Sequence, residues 1–275
     1  LRGRVAYPTP LPAPPAKLPL LAIAHGNHRP LWINRGAGWE KVDAAITTDE
    51  NYRGHAYLQD FFASHGFASV SVDLDQLVGR SAFGYPDVAG YGIVLRANVL
   101  LRNIQELLSN PTVAGPLAGR LDPADIHLLG HSRGGEAVIV ATGLLAGSVA
   151  KPPMATAFPA IGVRTVSSLA PVSVHAFNPP LVAPPTATPY LLLYGSDDGD
   201  VNGATAPEVW PFTHFDRASG PAHQIYLRGA NHNAWNTSWP SDDAMPLCPQ
   251  PPPAPPLVVP LNPSRVARPG DQRDS

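Results

Sequence analysis

The sequence predicts a single α/β domain built on a mostly parallel sheet with helices on both faces. Short apolar runs suited to buried strands alternate with longer segments of helical periodicity, an order that generates parallel strands through right-handed crossovers. Most of those runs are near-continuously apolar, as strands covered on both faces are. With 275 residues, 44% hydrophobic and 15% charged, the chain can bury one large core.

Val5-Ala6-Tyr7 reads as an edge strand, and the prolines from Pro8 to Pro15 make a connector that cannot donate to a sheet ladder. Leu18 to Ala24 is apolar enough for a central strand and runs into the loop His25-Gly26-Asn27-His28. Pro30 to Tyr52 is a long excursion carrying Trp32 and Trp39, and loops of that length often line a cleft. His55, Leu58, Phe61, Phe62 and His65 keep helical spacing, with Gly66 at the expected left-handed terminus. Ala68 to Leu74 alternates with period two and follows as a strand. From Asp87 to Asn110, apolar residues recur every three or four positions, which predicts an amphipathic helix. Ile126 to Leu129, Val163 to Ala170, Pro189 to Tyr194 and Gln224 to Leu227 supply the remaining strands. Residues 1–245 are expected to form the α/β domain, and 246–275 a proline-rich tail leading into a C-terminal helix or domain absent from this chain.

The stretch Leu128-Leu129-Gly130-His131-Ser132-Arg133-Gly134-Gly135-Glu136 carries the chemistry. A serine held on a sharp strand-to-helix turn brings the positions two before and two after it together, and only residues as small as Gly130 and Gly134 fit there. The apolar strand before it and the Ala, Val and Leu-rich helix from Glu136 to Leu145 supply the context this motif requires. Ser132 is the expected nucleophile.

These residues resemble the α/β-hydrolase fold serine hydrolases, and Gly130-His131-Ser132-Arg133-Gly134-Gly135 is most similar to the branch holding chlorophyllases, platelet-activating-factor acetylhydrolases and dienelactone-hydrolase-like or cutinase-like esterases. The resemblance runs from about Leu18 to Trp239. It implies an α/β-hydrolase fold, in which the triad follows the order serine, acid, histidine, each on the loop after a strand. Ser132, Asp198 and His232 satisfy that order. Asp197, Asp198 and Asp200 lie close together; the family's spacing selects Asp198, with Asp200 in reserve. The resemblance also implies an oxyanion hole from the backbone amides of Asn27 and Arg133. Pro171 to Thr188 is too short and proline-rich for a helical cap, so no large cap domain and an open cleft are expected. Trp32 or Trp39, Phe83 with Tyr85, and Trp235 would then make the substrate pockets apolar and aromatic, with Trp32 and Trp235 the named binding residues.

The implied activity is ester hydrolysis through a Ser-His-Asp triad and an acyl-enzyme, on uncharged short to medium acyl esters of small-molecule or polymeric origin. Acyl transfer or peptide hydrolysis on the same fold, or a catalytically silent binding module, are the alternatives. No cofactor is called for: the third glycine of a dinucleotide fingerprint is missing around Gly90-Tyr91-Gly92. Nor does a carboxylate or third histidine follow His25 and His28 at a metallohydrolase spacing, so His25 is expected to be a core residue bonded to backbone. The net charge of -2 gives no nucleic-acid footprint, no apolar run is long enough for a membrane span, and the lone Cys248 rules out an internal disulfide. A start at Leu1 fits a processed secreted protein or a shortened chain, and otherwise a cytoplasmic one.

Overall fold

The computed structural model describes residues 2–26, 50–77, 91–150, 158, 160–173, 184–201 and 211–239, together with the backbone of Trp32–Asn34 and Trp39–Lys41. Among the described residues, seven strands form the main sheet in the order β1-β5-β2-β6-β7-β8-β9. They are β1 (Gly3–Ala6), β2 (Leu18–Ala24), β5 (Ala68–Val72), β6 (Leu121–His131), β7 (Val163–Leu169), β8 (Tyr190–Gly195) and β9 (Ala222–Leu227). Only β1 runs antiparallel, against β5 at the edge; the other neighbours are parallel. A two-stranded hairpin, β3 (Trp32–Asn34) with β4 (Trp39–Lys41), stands apart within the excursion that follows β2.

Alternation along β2 explains the layering. Leu20, Ala22 and Ala24 join a large cluster with Ile93, Leu100 and Ile104 of α2 (Tyr91–Ser109) and Ala137 to Ala141 of α4 (Arg133–Ala146). Leu21 and Ile23 face the other way, into a smaller cluster with Leu129, Leu169, Tyr194 and Trp235, against which Leu58 and Phe62 of α1 (Ala56–Ser64) pack. Helices therefore cover both faces, as the apolar strand composition requires. α4 is buried from Gly134 through Leu144, a position only its near absence of polar side chains allows.

The period-two alternation of Ala68 to Val72 would suit a half-exposed strand, yet every residue of β5 is buried. Ser69 and Ser71 face a covered side, and Ser69 Oγ there accepts a hydrogen bond from the amide of Gln59. The small size of both serines and the hydrogen bond to Ser69 let this face be covered. The single turn α3 (Pro111–Ala114), capped by the Asn110 side chain, and α5 (Phe212–Asp216) are short elements without legible periodicity in the sequence.

From β2 the chain passes outward to β5 and then returns across it to β6 on the opposite side, so connections diverge from the β2–β6 pair. Crevices at the carboxyl ends of such a switch point are where open α/β sheets place ligands. β2 runs into His25 and Gly26, and β6 runs into Ser132.

Candidate active site

Ser132 has φ 56° and ψ -123° at the N-cap of α4. Among the described non-glycine residues only Ala170, at the end of β7, shares a positive φ. A β-carbon in that region costs of order 1–3 kcal/mol, and neighbours must hold it there. They do so closely: Ser132 N–H donates to the Leu169 carbonyl at 2.9 Å, and the Ser132 carbonyl accepts from Gly135 at 2.8 Å. A methyl group on Gly130 would lie 2.1 Å from the Gly134 carbonyl oxygen, and one on Gly134 would lie 2.0 Å from that of Ala24. The predicted glycine spacing thus has its steric cause in the elbow itself. Arg133, the first residue of α4, presents its amide at the helix N-terminus, where partial positive charge gathers. Glu136, in the first turn, is buried.

Two loops supply the other groups. After β8, Asp197 N–H donates to the Ala230 carbonyl at 2.9 Å and Ser196 Oγ accepts from Gly229 N–H at 2.8 Å, which ties this loop to the one after β9. A β-carbon on Gly195 would begin 2.2 Å from the Ala230 carbonyl, so only glycine permits this approach. The result brings Asp198 to His232: Oδ2 lies 2.8 Å from Nδ1. Oδ1 of the same carboxylate accepts the N–H groups of Asp200, at 3.0 Å, and Val201, at 2.7 Å. Asp198 is 4% exposed and His232 fully buried. Asp197 instead accepts from the Ser196 hydroxyl. Asp200, largely exposed, sits on the other side of the imidazole with Oδ2 3.5 Å from Nε2. Next to Ser132, the His131 ring stands 4.7 Å from the His232 ring, centroid to centroid. The imidazole and the carboxylate thereby form one buried pair, with the residue before Ser132 against the imidazole.

His25 is the core residue the sequence suggests. Its Nδ1–H donates to the Gly26 carbonyl at 2.8 Å and its Nε2 accepts from Leu74 N–H at 2.8 Å. Burial, with the Arg96 cation nearby, holds its pKa well below the ordinary histidine value. Oxygens of Asp73 and Asp75 lie close enough to His25 to suggest a cation site. However, Nε2 is engaged by Leu74, Asp75 Oδ1 accepts from Asn51 Nδ2 at 2.6 Å, and Asp73 Oδ2 pairs with Arg2 at 3.2 Å. With Nδ1 donating to Gly26 and Nε2 accepting from Leu74, His25 has no lone pair left for a metal, so the three residues do not fit one.

Of the expected aromatic wall, the side chain of Trp235 is the part that is described: it is 2% exposed and packs in the core with Leu21, Ile23 and Tyr194. Among the described residues, Trp239 is a tryptophan that comes close to Ser132. A side chain on Gly26 would begin 2.7 Å from Cη2 of Trp239 and 2.8 Å from Cβ of Ser132, so indole and serine flank the same glycine. Sequence reasoning missed Trp239; its only signal is membership of the segment after His232. The amide of Asn27, His28, the side chains of Trp32 and Trp39, Phe83, Tyr85, residues 174–183 and the tail 246–275 lie outside the described residues.

No protein-family model matches this chain, and neither does any curated protein. Solved structures do. Esterase 2 of Thermogutta terrifontis phosphoramylated by tabun aligns with a TM-score of 0.54 at 15% identity, over 84% of this chain and 79% of that one. The same esterase phosphonylated by cyclosarin gives 0.55 at 14% identity, over 88% and 82%. A propionate-bound thermophilic esterase from that planctomycete gives 0.53 at 13%, over 85% and 80%. The fold is that of the α/β-hydrolases. In an α/β-hydrolase the loops at the carboxyl ends of the strands carry the reacting groups, which is where Ser132, Asp198 and His232 lie. No helix among the described residues is long and apolar enough to cross a membrane.

Proposed function

We propose that this chain is a serine carboxylesterase in which Ser132, His232 and Asp198 form the triad. The observation that carries the reading is the 2.8 Å contact of Asp198 with His232 Nδ1 beside the strained elbow of Ser132. Asp198 fixes the tautomer that leaves Nε2 as the base, so His232 takes the Ser132 proton as Oγ attacks the ester carbonyl. The same proton then passes to the leaving alcohol, and water repeats the cycle on the acyl-enzyme. The Arg133 amide is one oxyanion donor and that of Asn27 the other; each is worth roughly 3 kcal/mol at the tetrahedral stage. The propionate bound to the Thermogutta esterase supports short acyl esters, and its phosphoramylated and phosphonylated forms support a phosphorylatable nucleophile.

Within the fold, the Gly-His-Ser-Arg-Gly-Gly elbow favours the chlorophyllase-like and cutinase-like branch, and the proline-rich link between β7 and β8 favours an uncapped cleft over residues 1–245. Uncharged esters of short to medium acyl length, small or polymeric, are the expected substrates, with Trp32 on the wall. The test is labelling with a fluorophosphonate followed by peptide mapping, beside turnover of an ester, an amide and an ester with added alcohol. Labelling at Ser132 with ester turnover dominant is expected. An unlabelled Ser132 would overturn the triad, and faster amide cleavage or transfer to the alcohol would overturn the reaction class.

A further inference from the structure

We propose that Trp239 and Asn51 form a positioning bridge that fixes the loop ending β2 against the loop carrying His232; the inference rests on the esterase reading above. The two residues are 188 positions apart, and the indole Nε1–H donates to Asn51 Oδ1 at 2.7 Å. Both are buried. From Asn51 the contacts run one way to His25: Asn51 Nδ2 donates to Asp75 Oδ1 at 2.6 Å, Asp75 Oδ1 lies 3.6 Å from His25 Nε2, and the adjacent Leu74 N–H donates to that nitrogen. They run the other way into the site. The indole ring is 4.7 Å from the His131 ring and stacks at 24° and 6.2 Å with that of His232, while its Cη2 borders Gly26 and Ser132.

The bridge is pinned along its length. Asn236 Nδ2 donates to the Asn51 carbonyl at 3.1 Å, and both the amide and the hydroxyl of Thr237 donate to the Gly54 carbonyl. Gly54 itself has no room for a side chain, since a β-carbon there would overlap Asn236. Two distant parts of the chain, the end of β2 at His25 and Gly26 and the segment carrying His232, are thereby referenced to one pair of side chains. Their separation matters because the oxyanion donors and the base act on the same tetrahedral carbon, and a misplacement of about 1 Å costs about a hundredfold in rate. A tryptophan serving only as core filling would affect folding stability and leave the turnover of the folded enzyme alone.

The experiment compares wild type, Trp239→Phe, Asn51→Ala and the double variant on a short p-nitrophenyl ester. It reads kcat and KM separately, the rate of Ser132 labelling by a fluorophosphonate, and thermal melting. Trp239→Phe keeps a ring against the two histidines and removes the N–H. Each single variant should lower kcat and labelling rate about tenfold with KM within about threefold, and the double should be no slower than the slower single. Losses that multiply in the double variant, a change confined to KM, or wild-type kcat in a folded Trp239→Phe would each overturn the bridge. Should Asn51→Ala fail to fold, the kcat and KM of Trp239→Phe decide alone. If Ser132 labels in wild type and Trp239→Phe keeps its kcat, only the bridge falls; if wild-type Ser132 does not label, the triad falls and the bridge with it.

Discussion

Asp198 Oδ2 lies 2.8 Å from His232 Nδ1, while its other oxygen is held by two backbone N–H groups. The carboxylate cannot rotate away without breaking three hydrogen bonds, so the imidazole ring is held in one orientation. Asp200 meets Nε2, the opposite nitrogen, and cannot take over that orienting role. Asp198→Asn should lower kcat about ten-thousandfold by favouring the wrong tautomer, and Asp200→Asn should stay within about tenfold. Steady-state kinetics of the two variants check this, and the reverse ranking would move the acid.

Ser132 separates activity from stability. Ser132→Ala removes the proposed nucleophile and retains the strained φ of 56°, so activity should vanish with little change in melting temperature. Ser132→Gly also removes the hydroxyl and relieves the strain, and should be more stable than the alanine variant by about 1 kcal/mol. Denaturant titration of both variants reads the difference; equal midpoints would show that the elbow stores no strain.

The elbow glycines respond differently. Gly134→Ala would place a methyl group 2.0 Å from the Ala24 carbonyl oxygen, an atom of the central strand that cannot step aside. A loss of about 3 kcal/mol is expected, visible as a lower urea midpoint. Gly66→Ala has open space around it and is strained only by its φ of 90°, so it should cost about 1 kcal/mol.

Acid should destabilise the fold through its buried histidines. Burial lowers His55 and His214 to about 4, and holds His25 well below the ordinary value of 6.5. Below 6.5 the unfolded chain binds protons that the native state refuses, so stability is fully present above that pH and falls as pH drops toward 4. Each histidine contributes a slope of up to about 1.4 kcal/mol per pH unit in that window. Melting curves at pH 7.5, 6 and 5 should show a progressive decline, and a constant midpoint would contradict the neutral, buried state.

Strands, long helices and the strained serine turn were legible in the sequence because each is governed by local rules. Apolar runs fix a strand that must be covered, periodicity fixes α1 and α2, and the steric need for glycine on both sides of Ser132 shows in five consecutive letters. The order serine, acid, histidine then nominated Asp198 and His232. What the sequence left open depended on contacts between distant segments. Which of three neighbouring aspartates meets which imidazole nitrogen was decided by the loop after β8 bonding to the loop after β9. The burial of both faces of β5 was decided by α1 packing over serines that alone would suit a solvent-facing side. Most plainly, Trp235 and Trp239 are four residues apart and equally aromatic, so no local rule separates them; the turn after His232 sends one into the core and carries the other back to Asn51, beside Ser132. Local sterics write an element into the chain, whereas the neighbour a side chain finds is set by how the elements pack, and only the tertiary structure holds that information.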